Sequence, residues 1–383
     1  MLKGSMYDVT IIGGGPAGST CGYLLGKRGL KVLIIDKAKF PRDKLCGGLL
    51  TLKTLKIIEV LFQDTEQTLR KSKIINFESN SYEVFFRNRC LLKNSASHPF
   101  YFVDRKIYDA FFLEKAKKEG VEVLEGEAKT SINYYNNEIQ TSSGKILRTR
   151  YIIGADGANS RVRRDLFAEP QSISSWQRNL ATALEVFLER KKLPNNIEHP
   201  KIFLGYVNCG YGWIFPNKER IVVGLGGLNR KNGKKLITQF HNFCSSIGLS
   251  GIQSILAKKG HPVPYGNFLE NPVYKKTLLV GDAAGFVDPI LGEGIFYAHK
   301  TAQLAAMSIM VEIEKKKDLR TSYLELLNAL VYPQLRSAML LRQIVFHSFN
   351  KYSQYLLLQI MLKLFNEKMI NVIHEEESYR WFR

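Results

Sequence analysis

Cysteine is sparse and never paired. Cys21, Cys46, Cys90, Cys209 and Cys244 stand far apart, and no C-x-x-C occurs. That spacing argues against a zinc site or a redox dithiol and suits free thiols in a reducing compartment. No H-E-x-x-H, P-loop or Ser/His/Asp ordering is present, which removes zincin, Walker-type and serine-hydrolase chemistry; no metal site is expected. No repeat of roughly 20–50 residues recurs. No apolar stretch with a cleavage site precedes the first strand, so a secretory leader is not expected and a cytoplasmic location is. Acid is scarce beside base: 55 Lys and Arg against 35 Asp and Glu leave a net charge of +20. Such an excess favours an anionic partner, whether nucleotide phosphates, a phosphorylated substrate or an anionic membrane surface. Nucleic acid is not expected, because the basic residues are dispersed and no nucleic-acid motif accompanies them. What the chain does have is apolar mass. Hydrophobic residues make up 45% of 383, enough for a sizeable core and for two domains or one elaborate one.

One stretch organises the rest. Tyr7 to Ile12 reads as a strand, Gly13-Gly14-Gly15-Pro16-Ala17-Gly18 as a turn, an Ala/Gly-rich helix follows, and Lys31 to Ile35 is a second strand. Gly13, Gly15 and Gly18 fill the G-x-G-x-x-G positions. Gly13 permits the tight turn, Gly15 lets a pyrophosphate approach the backbone, and Gly18 lets helix and strand pack closely. The helix N-terminus offers free N–H groups to phosphate. Asp36 ends the second strand, 18 residues after Gly18, near where a ribose-binding acid belongs. Together these features predict dinucleotide binding.

Downstream, Pro41 and Gly47-Gly48 mark a loop, and Thr51 opens a helix to about Phe62. Residues 73–87 read as a hairpin turning at Glu78-Ser-Asn-Ser81. Asp104 caps a helix from Arg105 to Glu119, ended by Gly120, and a strand follows at Val121 to Leu124. Residues 130–149 form a meander that ends in a strand stopping at Gly154. Strands are expected at Thr182 to Leu188, Lys201 to Val207, Gly212 to Pro216 and Arg220 to Leu228, then helices at Lys235 to Ile247 and Ile252 to Lys259. Leu278 to Val280 is a strand, a helix runs from Gly294 to Glu314, and everything past Arg320 is helical. The dinucleotide domain is therefore discontinuous, with an antiparallel sheet inserted twice.

Gly281-Asp282 ends a strand just before a helix. An acid there can accept hydrogen bonds from a polyol, while the small residues let a ring pass close to the backbone. With Gly154-Ala155-Asp156-Gly157 between it and the glycine turn, the chain resembles the group A flavoprotein monooxygenases of the p-hydroxybenzoate hydroxylase fold. The segments Phe40 to Gly48, Tyr211 to Pro216 and Gly281 to Ile295 resemble the geranylgeranyl reductase family more narrowly. The resemblance covers roughly residues 6–310. It implies an α/β fold: a discontinuous Rossmann-like FAD-binding domain (1–70, 104–170 and 271–320), an antiparallel-sheet substrate domain (71–103 and 171–270) and a helical C-terminal region (321–383). It also implies FAD held by Gly13, Gly15, Pro16, Ala17, Gly18, Asp36, Lys37 and Arg42, by Cys46 and Gly47, by Arg105, by Asp156 and Gly157, and by Gly281, Asp282, Gly292, Gly294 and Ile295. The implied reaction is FAD-dependent reduction of C=C bonds in a prenyl group; an FAD-dependent monooxygenase on a hydrophobic substrate is the alternative. No second G-x-G-x-x-G follows, so NAD(P)H would bind transiently or a ferredoxin-type donor would serve.

Three residues are candidates for the chemistry. Tyr211 and Trp213, with Phe215, are two apart, so in a strand they share one face. They form either a wall for the prenyl chain or an ordinary sheet core. Cys46 lies in the loop that the resemblance puts beside the flavin, as a gate or proton donor, or as a small residue filling tight space. Glu293 is electrostatically odd beside a helix N-terminus that would stabilise negative charge on reduced flavin, and is expected to bond the loop instead of facing the flavin. His299 and the cysteines other than Cys46 are expected to be structural. The tail from Ile344 to Phe365 is apolar and basic, but Lys351, Gln354 and Gln359 interrupt it. It suits a helix packed on the substrate domain, or one lying peripherally on the inner face of an anionic membrane.

Overall fold

The structure, a computed structural model, describes residues 6–192, 197–249, 260–347, 354–374 and 378–379. The glycine unit builds the first sheet. Strand Met6–Ile12 lies between Val32–Asp36 and Ile146–Gly154, parallel to both, with Ile12 opposite Ile35 and Gly154. Glu122–Glu125 and Thr277–Leu279 extend it in parallel on either side. Val32–Asp36 and Thr277–Leu279 are buried along their whole length, as parallel strands of a covered sheet are. Pro16–Gly26 packs between Arg105–Lys118 and Ile295–Lys315. The carboxyl ends of three central strands therefore meet at Gly13, Asp36 and Gly154.

The second sheet is mixed. Its strands run in the order Gly260–Pro264, Leu180–Glu189, Arg220–Leu228, Gly210–Pro216, Lys201–Leu204, Ile75–Phe86, Arg89–Val103 and Leu49–Leu50. All neighbours are antiparallel except Lys201–Leu204 beside Ile75–Phe86. Alternation divides its residues between two faces. Val186, Ile214, Val223 and Leu225 pack on Phe240 and Phe243 of helix Leu236–Ser246. Trp213, Phe215 and Val222 take the other face, with Tyr82, Phe100 and Phe102.

Several expectations change. No turn forms at 78–81. One strand runs from Ile75 to Phe86, and the hairpin turns at Arg87-Asn88, where Arg87 has φ +50°. The polar stretch is absorbed as a pairing irregularity between Ser79 and Ser81, because a bulge accepts the same residues as a turn. Helix Pro170–Arg178 and strand Gly260–Pro264 were not anticipated; Pro170 at the first helical position was the available signal for the helix. The helix expected at Ile252 to Lys259 lies outside the described residues.

The chain ends in helices Leu319–Leu330, Tyr332–His347 and Gln354–His374. The last packs on the second sheet: Tyr82 donates to Asn366 Oδ1 at 2.5 Å, and Ile370 joins the aromatic cluster. Among the described residues no helix is long and apolar enough to cross a membrane.

Candidate active site

A cavity of about 1220 Å³ opens between the carboxyl edge of the first sheet and the aromatic face of the second. The glycine turn forms one end. Gly13 has φ +108°, and a Cβ there would lie 2.4 Å from Ala155 O. A Cβ on Gly18 would lie 1.8 Å from Gly13 O, so helix and turn touch backbone to backbone. Gly15 differs. The nearest atom to its Cβ position is Arg42 Nη2 at 3.6 Å, which leaves its backbone open to a ligand. Pro16 begins the helix, and no side chain caps it. Asp36 accepts from Gly14 N at 2.7 Å and Ala38 N at 2.8 Å. It thus braces the turn, lines the cavity, and keeps acceptor capacity on both carboxylate oxygens. Lys37 is exposed at the mouth.

Asp156 Oδ2 accepts from Arg161 N at 2.6 Å and Val162 N at 3.3 Å, capping a short helix, while its Oδ1 has no partner among the described residues. Burial pushes its carboxyl up against those bonds. Gly157 follows at φ +75°. Gly281, at φ +54°, donates to Thr301 Oγ1 at 2.9 Å. Asp282 turns toward Gly294, whose Cβ position is 2.9 Å from Asp282 Oδ1. Burial raises Asp282, while Lys44 and Arg105 oppose that rise.

The segment from Asp288 to Ile295 is pinned from several sides. Asp288 Oδ1 accepts from Ile290 N and Leu291 N, both at 2.8 Å, and Tyr379 donates to Asp288 Oδ2 at 3.0 Å. Tyr265 donates to Ile290 O at 2.5 Å, and Tyr211 donates to Leu291 O. Gly292 has φ +67°, and Gly294 precedes the helix that begins at Ile295. Glu293 turns to helix Leu52–Phe62: it pairs with Lys53 at 2.6 Å and accepts from Thr51 at 2.8 Å and Thr54 at 3.2 Å. The ion pair with Lys53 neutralises the Glu293 charge beside the helix N-terminus.

Between turn and wall lies a charged cluster. Arg105 donates twice to Asp109, at 2.7 and 3.0 Å, and Arg42 pairs with the same carboxylate at 3.1 Å. Burial pulls the Arg105 guanidinium down, but Asp109 and the Cys46 sulfur more than offset this, so its pKa is raised. Cys46 Sγ also accepts from Gly48 N at 3.5 Å. Lys44 Nζ reaches His261 Nε2 at 2.5 Å. Burial, then the nearby cations Lys44, Arg105 and Arg42, hold His261 at about 3, so its imidazole is neutral and accepts from the ammonium. Burial and Arg105 bring Lys44 down to about 8, against the pull of Asp282, Cys46 and Asp109. Asp109, Lys44, His261 and Asp288 were not foreseen. Asp109 had a signal: it sits four residues after Arg105 on one helix.

Tyr211, Trp213 and Phe215 do share the cavity face, with ring centroids 5.8 and 6.3 Å apart in sequence order. Gly47 abuts Phe215, its Cβ position 2.6 Å from the ring. Gly224 lies beneath Trp213, its Cβ position 2.3 Å from two indole carbons. Gly224→Ala is therefore expected to displace a buried indole and cost about 1–3 kcal/mol. A thermal melt that matches wild type, with unchanged tryptophan emission, would contradict this packing.

His299 is structural. Thr20 Oγ1 lies 2.7 Å from its Nδ1 and Tyr108 OH 2.6 Å from its Nε2, and burial holds it at about 3. Cys21 and Cys244 are buried, as expected, but Cys90 is exposed, because it follows the turn at 87–88.

Residues 6–221 match the FAD binding domain family. The chain belongs to that family. It is 33% identical over 317 residues to an uncharacterized protein of Methanosarcina barkeri, covering 82% of this chain and 77% of that one. It is 27% identical over 379 residues to the chloroplastic geranylgeranyl diphosphate reductase of Oryza sativa, covering 90% and 76%. A crystal structure of a geranylgeranyl bacteriochlorophyll reductase-like protein from Thermoplasma acidophilum superposes with a TM-score of 0.74 at 21% identity, covering 97% of this chain and 92% of that one. This flavoprotein is an FAD-dependent oxidoreductase.

The residues present fit FAD. The uncapped N-terminus of helix Pro16–Gly26 and the open backbone at Gly15 suit a pyrophosphate, with Arg42 beside it. The free oxygen of Asp156 and the carboxyl of Asp282 suit hydroxyl groups further along the cavity.

Proposed function

We propose that this flavoprotein reduces C=C bonds of a prenyl group in a lipid or quinone-like substrate. The observation that carries the reading is the continuity of the cavity: one space runs from the glycine turn to the apolar wall of Trp213, Phe215, Tyr82 and Phe100. Such a wall binds a chain that has few polar groups of its own. The rice relative is named for geranylgeranyl diphosphate, a prenyl compound, which supports this substrate class.

FAD, when bound and reduced, supplies a hydride. The chain's own residues do the rest. Trp213 and Phe215 exclude water and orient the chain. Tyr211 gives its hydroxyl hydrogen to Leu291 O, which fixes the segment before helix Ile295–Lys315. The N-terminus of that helix favours negative charge gathering beside it. Cys46, between Gly48 N–H and Arg105, shapes the floor of the cavity. NAD(P)H or a ferredoxin-type protein supplies the electrons.

The test is anaerobic. Reduced protein is mixed with a geranylgeranyl lipid, and flavin reoxidation is followed by absorbance. Reoxidation by the lipid, with product mass gaining two hydrogens per bond, is expected. No reoxidation by the lipid without oxygen, but an oxygenated product once oxygen is admitted, would favour the monooxygenase reading and overturn this one.

A further inference from the structure

One buried acid on the cavity wall has no role so far. Glu185 stands in strand Leu180–Glu189, opposite Gly224, and Gly224 stands opposite Trp213. The three positions form one cross-strand row on the cavity face. Gly224 has no side chain, so the indole lies across its strand, with Nε1 2.6 Å from the Gly224 Cβ position and directed to Glu185. The Trp213 indole N–H lies within reach of the Glu185 carboxyl, and Glu185 forms no ion pair among the described residues. Glu185 is only 4% exposed and lines the cavity. Lys44 faces it from the loop, Arg105 from helix Arg105–Lys118, and Arg220 from the neighbouring strand.

Alkene reduction adds one hydride and one proton across the bond. We propose that the Glu185 carboxyl supplies the proton, an inference that rests on the prenyl-reduction reading above. The O–H bond of Glu185 breaks, a C–H bond forms at one alkene carbon, and the reduced flavin's hydride completes the other carbon. The alkene is reduced, the flavin is oxidised, and Glu185 is left as a carboxylate that regains its proton from water.

Other cavity groups are worse placed to give a proton. Tyr211 has committed its hydroxyl hydrogen to Leu291 O. Cys46 Sγ accepts from Gly48 N and lies against the Arg105 guanidinium, so its surroundings treat the sulfur as an acceptor. His261 is neutral and accepts from Lys44. Burial pushes the Glu185 carboxyl up to about 7, with Lys44, Trp213, Arg105 and Arg220 pulling the other way. Near neutral pH a large fraction is therefore protonated, which places the acid near the operating pH where general-acid catalysis is most effective.

The experiment compares wild type, Glu185→Gln and Glu185→Asp as holoenzymes. In Glu185→Gln, flavin reoxidation by a geranylgeranyl lipid is expected to slow by about 100-fold or more at unchanged FAD affinity. Wild-type turnover falls as pH rises through 7, because the acid form is lost; Glu185→Gln lacks that limb, and Glu185→Asp restores part of the rate. Infrared difference spectra of wild type, taken without substrate, are expected to lose a protonated-carboxyl band over the same pH range. Glu185→Gln turning over at the wild-type rate with the wild-type pH profile overturns the proposal alone. Wild type that reduces no prenyl alkene overturns the functional reading and the proposal together. Absence of the carboxyl band overturns the proposal even where Glu185→Gln fails to fold.

Discussion

Asp109→Ala is expected to cost the protein about 3–5 kcal/mol and its ability to retain FAD. Asp109 is fully buried, accepts twice from the Arg105 guanidinium and forms an ion pair with Arg42. Alanine removes the shared counter-charge and leaves two cations beside each other at the cavity wall. Arg105 is nearly buried and has nowhere to go. Arg42 retains 18% of its side-chain exposure and can swing toward water, so the lower end of the range is expected. The same swing takes Arg42 away from the open backbone of Gly15, where a pyrophosphate would lie. Asp109→Asn keeps the shape and one acceptor, and should fall between. Urea unfolding with flavin absorbance measures both effects; a stability loss below about 1 kcal/mol would refute the shared-carboxylate account.

Gly18→Ala should be as damaging for a different reason. Its Cβ would sit 1.8 Å from Gly13 O, and both partners are backbone. No rotamer change relieves such a contact, so the helix must lift off the strand, and the phosphate-facing N–H groups move with it. The expected result is loss of bound FAD and destabilisation of about 3 kcal/mol, the upper part of the range for overpacking. Gly157→Ala is the control. Nothing lies within 4 Å of its Cβ position, so only its φ of +75° opposes the change, and a cost near 1 kcal/mol is expected. Equal flavin content in the two variants would show that close helix–strand approach is not what Gly18 provides.

These two predictions separate what residue order reveals from what it hides. Gly18 was legible because the clash it avoids is with a residue five positions earlier. Asp104 as a helix cap was legible for the same reason: its side chain accepts from Lys106 N, two residues on. The aromatic wall was half legible. Spacing of two puts Tyr211, Trp213 and Phe215 on one face, but whether that face meets a helix or a cavity depends on what packs there. The hairpin at 78–81 misled because Glu-Ser-Asn-Ser suits a bulge as well as a turn, and cross-strand pairing chose the bulge.

The dinucleotide turn and most strands and helices are legible in residue order, since they rest on sterics and periodicity within a few residues; the order of the flavin fingerprints is legible by resemblance to a family. The electrostatics of the cavity arise from contacts between residues far apart in the chain. Lys44 meets His261 across 217 residues, and Glu185 meets Trp213 across a glycine on a third strand. The cost of burying each charge, and the partner that offsets it, are set by strand register and burial, which no local pattern encodes.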